Sequence, residues 1–232
     1  MKQSQAKKHD NTMTNKILMR LIALVLGLLF LEILIIHSKN EQQKSVSNQV
    51  QTARIMANGD LLYHDGLYMS ALQADGSYDF TENFTYVKPW LKQADLVLGD
   101  FEGTINPDYP LSGYPLFNAP QSVTAAISDA GYDVMDLAHN HILDSGLEGA
   151  FTTADALKKV GIDPVGVYEN PVRDKAPLFI KNVNGIKVAI LSYAYGFNGL
   201  ESNLTEKEIA NHLSNLDEKR MKVEIERAEK EA

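Results

Sequence analysis

The 232 residues include no cysteine, which excludes disulfide staples, thiolate nucleophiles and Cys-ligated zinc or iron–sulfur centres. Any metal held by this chain must sit on Asp, Glu, His or Asn. Glycine (15) and proline (8) are too sparse, and hydrophobic residues at 44% too frequent, for a largely disordered polymer. Basic residues are also in deficit: 22 Lys and Arg face 30 Asp and Glu, a net charge of −8. Beyond the N-terminus there is no basic stripe, so the phosphate backbone of a nucleic acid is not an expected partner. The length suits one globular domain with a modest appendage.

One long apolar run is present. Residues 17–36 read ILMRLIALVLGLLFLEILII, and about twenty helical residues at roughly 1.5 Å each match the roughly 30 Å hydrocarbon core of a bilayer. Arg20 and Glu32 lie near its two ends, where long or charged side chains reach the interface. Between Leu21 and Leu31 the run is apolar on every side, unlike the single stripe of a surface helix. Lys2, Lys7, Lys8, Lys16 and Arg20 stand against Asp10, whereas residues 38–232 carry a net −11. The positive-inside rule therefore predicts a single-pass cell-membrane protein with a cytoplasmic N-terminus and an extracytoplasmic C-terminal domain. His37-Ser38-Lys39-Asn40 offers no small-x-small cleavage site, which favours an uncleaved signal anchor over a removed signal peptide. The expected organisation is a basic tail (1–16), a transmembrane signal anchor (17–36), a polar flexible linker (37–52) and one extracytoplasmic domain (53–232).

In that domain, apolar strand-like runs alternate with helical patterns. Arg54–Ala57 enters Asn58-Gly59-Asp60, Asp95–Leu98 enters Gly99-Asp100-Phe101-Glu102-Gly103, and Tyr132–Leu137 enters Ala138-His139-Asn140-His141. Helices are predicted over 84–94, 121–130 and 146–160, a further strand over 162–165, and a hairpin over 178–192 turned by Asn184-Gly185. Thr205-Glu206-Lys207-Glu208 reads as a capping box, and a charged helix over 217–232 as a solvated face. This order predicts an α/β layered fold with a largely parallel or mixed sheet, in which ligands bind outside the carboxyl ends of the strands. All three polar clusters fall at such ends.

Their residue types suit a metal site that activates water for phosphoester hydrolysis: carboxylates to neutralise cations, an amide or imidazole to complete coordination, and a histidine near the leaving oxygen. Asp60, Asp100 or Glu102, Asn140 and His141 supply them. Singly, each has an ordinary explanation, since Gly-Asp pairs turn chains and Asx residues cap helices. Together, His139-Asn140-His141 with Asp144 and Gly146 behind it is a denser polar loop than a turn requires.

These stretches, Asn58-Gly59-Asp60, Gly99-Asp100-Phe101-Glu102-Gly103 and the run from Ala138 to Gly146, resemble the CapA family over roughly residues 55–192. Those are membrane-linked proteins of capsule and poly-γ-glutamate production with a fold like that of calcineurin-type metallophosphoesterases. The resemblance implies Asp60, Glu102 and Asn140 at a divalent metal (Mn, Fe or Zn), His141 as transition-state acid or phosphate contact, and Asp144 orienting His141. It implies a polymer synthase complex and an anionic polymer as partners, and leaves Asp100 and His139 without a role. The phosphoesterase pattern's histidine two residues after the first aspartate is Leu62 here, with His64 two farther on. The family's later His-Trp-Gly-Glu and Gly-His-His-Pro-His segments do not occur in this sequence. The expected domain is accordingly metallophosphoesterase-like but incomplete at its C-terminus. Two functions follow: an accessory protein of capsule or poly-γ-glutamate biosynthesis or export, or an extracytoplasmic metal-dependent phosphoesterase.

Overall fold

Four consecutive strand-and-helix steps lay down one sheet. The computed structural model describes residue 19, residues 24–39 and residues 50–232. The expected tail 1–16, part of the span 17–36 and most of the linker 37–52 lie outside the described residues. Residues 24–39 form a helix, α1, whose side chains are exposed along its length. Among the described residues no helix is long and apolar enough to cross a membrane.

Gln51–Ala232 forms a unit of its own. Strands β1 (Ile55–Asp60), β2 (Leu96–Asp100), β3 (Val134–Asp136) and β4 (Asp163–Val165) pair side by side in that order, all parallel. Between them come α2 (Asp65–Ser70), α3 (Lys88–Leu91), α4 (Val123–Ala130) and α5 (Gly146–Lys159). The parallel order is what the alternating pattern dictates, because parallel neighbours need a crossover connection. The expected helix over 84–94 is instead a 3-10 turn, Thr81–Phe84, followed by the short α3. Pro89 sits at the start of α3, where a missing N–H costs nothing.

Alternation along each strand divides the core. Val97 and Met135 face the helices with Ile127, Leu157 and Phe101, whereas Leu96, Leu98, Val134 and Val165 face the other way. That second face is covered by an antiparallel hairpin, β5 (Phe179–Val183) and β6 (Ile186–Ile190), through Phe179, Val183, Val188 and Ile190. Asn184 and Gly185, both at positive φ, make its two-residue turn. Helix α6 (Glu206–His212) begins with the complete capping box of Thr205 and Glu208. The last helix, α7 (Glu218–Glu231), is not merely a solvated face: Ala228 is buried, and Glu224 accepts hydrogen bonds from Arg173 and Tyr193.

One close backbone approach fixes the height of the loop after β3. Gly166, at φ +95°, lies against Ala138, and a Cβ there would come within 2.7 Å of the Ala138 nitrogen and 2.8 Å of its Cβ. Gly166→Ala should therefore lower stability by about 2–4 kcal/mol, from left-handed backbone strain and overpacking together. Urea denaturation checks this; an unchanged midpoint would show that the loop yields.

Candidate functional site

Three strands end in an aspartate, and the register sets those aspartates side by side: Asp60 of β1 opposite Asp100 of β2, and Asp100 opposite Asp136 of β3. Like charges on neighbouring positions are unfavourable, and here the middle one is also partly buried. The Asp100 carboxyl is pushed up to about 7, first by removal from water and then by the charges of Asp136, Asp60 and Glu102. Burial likewise raises Asp136, against hydrogen bonds from Ser192 and from the backbone at Ala138 and Leu137. Glu102, just past β2, is raised by desolvation and then by the neighbouring Asp60 carboxylate.

The loop after β3 brings imidazoles to the same rim. His139 is 6% exposed, and its Nδ1 accepts the His141 backbone N–H at 3.1 Å. Its ring is held neutral, with its pKa lowered to about 3, mainly by burial and then by the neighbouring His141. Its Nε2 is buried without a hydrogen-bond partner, as is Asp100 Oδ1. His141 lies 2.7 Å from Asp144 Oδ2 through Nδ1, and that oxygen also accepts the Phe117 N–H at 2.6 Å. The far ring nitrogen, Nε2, is 3.9 Å from Glu102 Oε1. Phe117 packs edge-on against the imidazole, with ring centroids 4.7 Å apart. Asp144 thereby fixes the ring's rotation and directs Nε2 at the carboxylates.

Of the expected residues, Asp60, Glu102, His141 and Asp144 converge at the carboxyl end of the sheet. Asn140 stands on the same loop but is exposed, and its amide donates to Asn198 Oδ1 at 3.2 Å. Asp100 and His139, to which the family resemblance gave no role, lie at the centre. Asp136 was missed, although an acid closing the third strand was visible in Val134-Met135-Asp136. Asn198, 3.4 Å from both ring nitrogens of His141, gave no signal; it sits at φ 54° in an irregular loop. His64 is an exposed N-cap of α2, and His212 bonds to the Tyr168 carbonyl and packs on Phe151.

The donor chemistry, carboxylates crowded at adjoining strand ends, fits a divalent cation. Among the described residues, however, no three His, Asp or Glu side chains surround one point closely enough to hold a metal ion. What is present is a donor cluster rather than a closed ligand shell.

The fold and rim together define a parallel α/β domain with an acid–imidazole cluster at the carboxyl ends of its strands. The pattern of the bacterial capsule synthesis protein PGA_cap family matches residues 54–232, and the chain belongs to that family. It is 34% identical over 119 residues to the capsule biosynthesis protein CapA of Bacillus anthracis, covering 49% of this chain and 29% of that one. It is 25% identical over 189 residues to the PGA biosynthesis protein CapA of Bacillus subtilis (strain 168), covering 80% and 48%. The chain thus spans half or less of the length of these relatives.

Proposed function

We propose that this chain acts in the making or export of a capsular or poly-γ-glutamate polymer, as an accessory protein held at the outer face of the cell membrane by residues 17–36. The observation that carries this reading is family membership over the whole span 54–232, and the relatives' names supply the polymer. Charge supports this orientation: the basic residues stand before the apolar run, and residues 38–232 after it carry a net −11. The partners proposed are the membrane and a polymer synthase complex. An anionic polymer meeting an acidic domain would need cations between them.

The test is complementation of a strain lacking the gene, with surface polymer measured by immunoassay. The wild-type chain should restore polymer, and Asp60→Ala and His141→Ala should reduce it by about tenfold or more. Full restoration by both variants would remove the rim from the function. Because the chain has no cysteine, a single Ser45→Cys change gives an unambiguous label site. A membrane-impermeant maleimide should modify it in intact cells, and labelling only after lysis would overturn the orientation.

A second reading, metal-dependent phosphoester hydrolysis, is favoured by the His141–Asp144 pair directed at Glu102. Asp60, Glu102 and Asn140 would hold a divalent cation such as Mn, Fe or Zn. A bound cation would supply Lewis acidity and a water of lowered pKa. His141, oriented by Asp144, would place a proton-bearing Nε2 toward the rim, where a leaving oxygen departs. Metal analysis of purified wild-type chain against Asp60→Ala and Asn140→Ala separates the readings: stoichiometric metal lost in both variants favours the hydrolase.

A further inference from the structure

The two ends of the strand row differ in character. At the carboxyl ends stand Asp60, Asp100 and Asp136, with Glu102 beside them. At the amino ends the helices finish, α3 leading into β2, α4 into β3 and α5 into β4. Cations collect there, as the helix dipole favours: Arg54, Lys88, Lys92, Lys158 and Lys159. Acids stand among them too, Asp129 on Lys88 at 2.5 Å and Asp155 on Lys158 at 3.0 Å. This end is therefore close to neutral where the other is acidic.

One segment of the amino end is apolar on both of its sides. From Phe80 to Lys92 the backbone coils through successive helical turns, among them bonds from the Val87 N–H to the Phe84 carbonyl and from the Leu91 N–H to the Val87 carbonyl. Phe84 is buried, and Leu91 packs on the same core. A helical segment that buries one side ordinarily turns polar residues outward. Here the outward side chains include Tyr86, 89% exposed, Trp90, 65% exposed, and Val87, with Lys88 and Lys92 next to them. Between Asn83 and Ala94 there is no acid. Bare aromatic rings flanked by lysines are the composition of a membrane–water interface, where indole and phenol sit at headgroup level and lysine stems lie along apolar surface with the ammonium in water.

Two observations name the occupant of this patch. The polypeptide enters the unit beside it: Arg54 donates to the Gln93 carbonyl at 3.2 Å, and its backbone N–H to Asp95 at 2.8 Å. Arg54 comes eighteen positions after Ile36, so a fully extended tether holds this end within roughly 60 Å of the bilayer. Charge points the same way, because an anionic lipid surface repels the carboxyl end of the sheet and accepts the amino end.

We propose that Tyr86, Val87 and Trp90, flanked by Lys88 and Lys92, form a lipid-docking surface that lies in the headgroup layer and turns the acid–imidazole rim away from the membrane. The proposal rests on the reading of residues 17–36 as an anchor. The five residues of β2 lie between the two ends, and at about 3.3 Å each they set the rim on the order of 15 Å farther from the lipid than the patch. An exported polymer and its counter-cations reach the rim from that side.

The test uses the full-length chain in bilayer nanodiscs of phosphatidylcholine with about 30% phosphatidylglycerol. Trp90 is the single tryptophan of the sequence and serves as reporter. Brominated phosphatidylcholine should quench Trp90 by about half, and acrylamide should quench it about threefold less than a rim reporter, Tyr195→Trp in a Trp90→Phe background. Tyr195 is 96% exposed on the loop that carries Asn198, and a reporter there should be indifferent to the brominated lipid. Tyr86→Ser, and separately Lys88→Glu with Lys92→Glu, should bring the Trp90 acrylamide response at least halfway to the rim value. Trp90 as open to acrylamide as the rim reporter, or a rim reporter quenched by brominated lipid as strongly as Trp90, would overturn the proposal. So would a Trp90 shielded from acrylamide yet untouched by brominated lipid, since a second copy of the chain would then cover the patch. A chain that fails to co-elute with the discs overturns the anchor, whereas one that co-elutes with Trp90 open overturns the docking alone.

Discussion

Asp100→Asn should make the full-length protein more stable at pH 8, by about 1–2 kcal/mol, or roughly 2–6 °C in Tm. The Asp100 carboxyl, near 3.8 when unfolded, is raised to about 7 in the fold. Between those values the folded chain holds a proton that the unfolded chain has released, so stability falls as pH rises from about 4 to about 7 and stays reduced above. The full shift of about three units corresponds to roughly 4 kcal/mol. The side chain is only partly buried, and solvent screening brings the expected effect down to the smaller figure. The advantage of the Asn variant should shrink to a small remainder at pH 4, where the carboxyl is protonated in the folded chain and about half protonated in the unfolded one. Melting curves from pH 4 to 8 in chelator-treated buffer measure this, and a variant less stable than wild type at pH 8 would show that repulsion does not dominate the row.

A divalent cation should act on the same charges. At about a hundredfold excess over its dissociation constant it should stabilise the wild-type protein by about 2.7 kcal/mol at pH 8, and the gain should be blunted in Asp100→Asn. His139 works in the opposite sense. Its folded pKa lies far below the ordinary histidine value, so stability is lost as pH falls from about 6.5 toward 3.

Arg173→Met should cost more, about 3–5 kcal/mol and roughly 10 °C in Tm. Arg173 is 4% exposed; it donates to the Leu213 carbonyl at 3.1 Å and to Glu224 Oε2 at 3.1 Å, and its guanidinium lies over the rings of Tyr168 and Tyr193. It joins the segment after β4 to α7. Methionine fills much of the volume but leaves the Leu213 carbonyl and Glu224 each short of a donor, which is the costly way to break a buried pair. Replacing both partners, Arg173→Met with Glu224→Leu, should recover most of the loss. Chemical denaturation of the three variants checks this, and equal losses in single and double variants would contradict it.

Much of this architecture was written locally. Asn184-Gly185 between apolar runs fixed the hairpin, the Thr205–Glu208 spacing fixed the start of α6, and acids closing apolar runs marked the strand ends. The exceptions share a cause. Helix α2 opens on Asp65-Gly66 and spans only six residues, too few to show a helical period. Asp136 was absorbed into a strand read through to Leu137, because Leu137 and Ala138 continue the apolar run while the chain has already left the sheet. Asn198 and Arg173 act through partners 57 and 51 residues away, and no local pattern encodes such a distance. The central position of Asp100 was obscured in another way: its importance comes from lateral register, which appears only when strands are laid side by side.

That lateral order gives the site unequal supports. Strand β1 forms one margin of the sheet, with five of its six residues exposed, and among the described residues it pairs on one side only, with β2. Asp60 therefore rides on a rib braced from one side only, while Asp100 and Asp136 stand on ribs braced from both sides. Stiffness across the row is graded, and the outermost acid is the one that can swing to meet an incoming ligand while its two neighbours hold their ground.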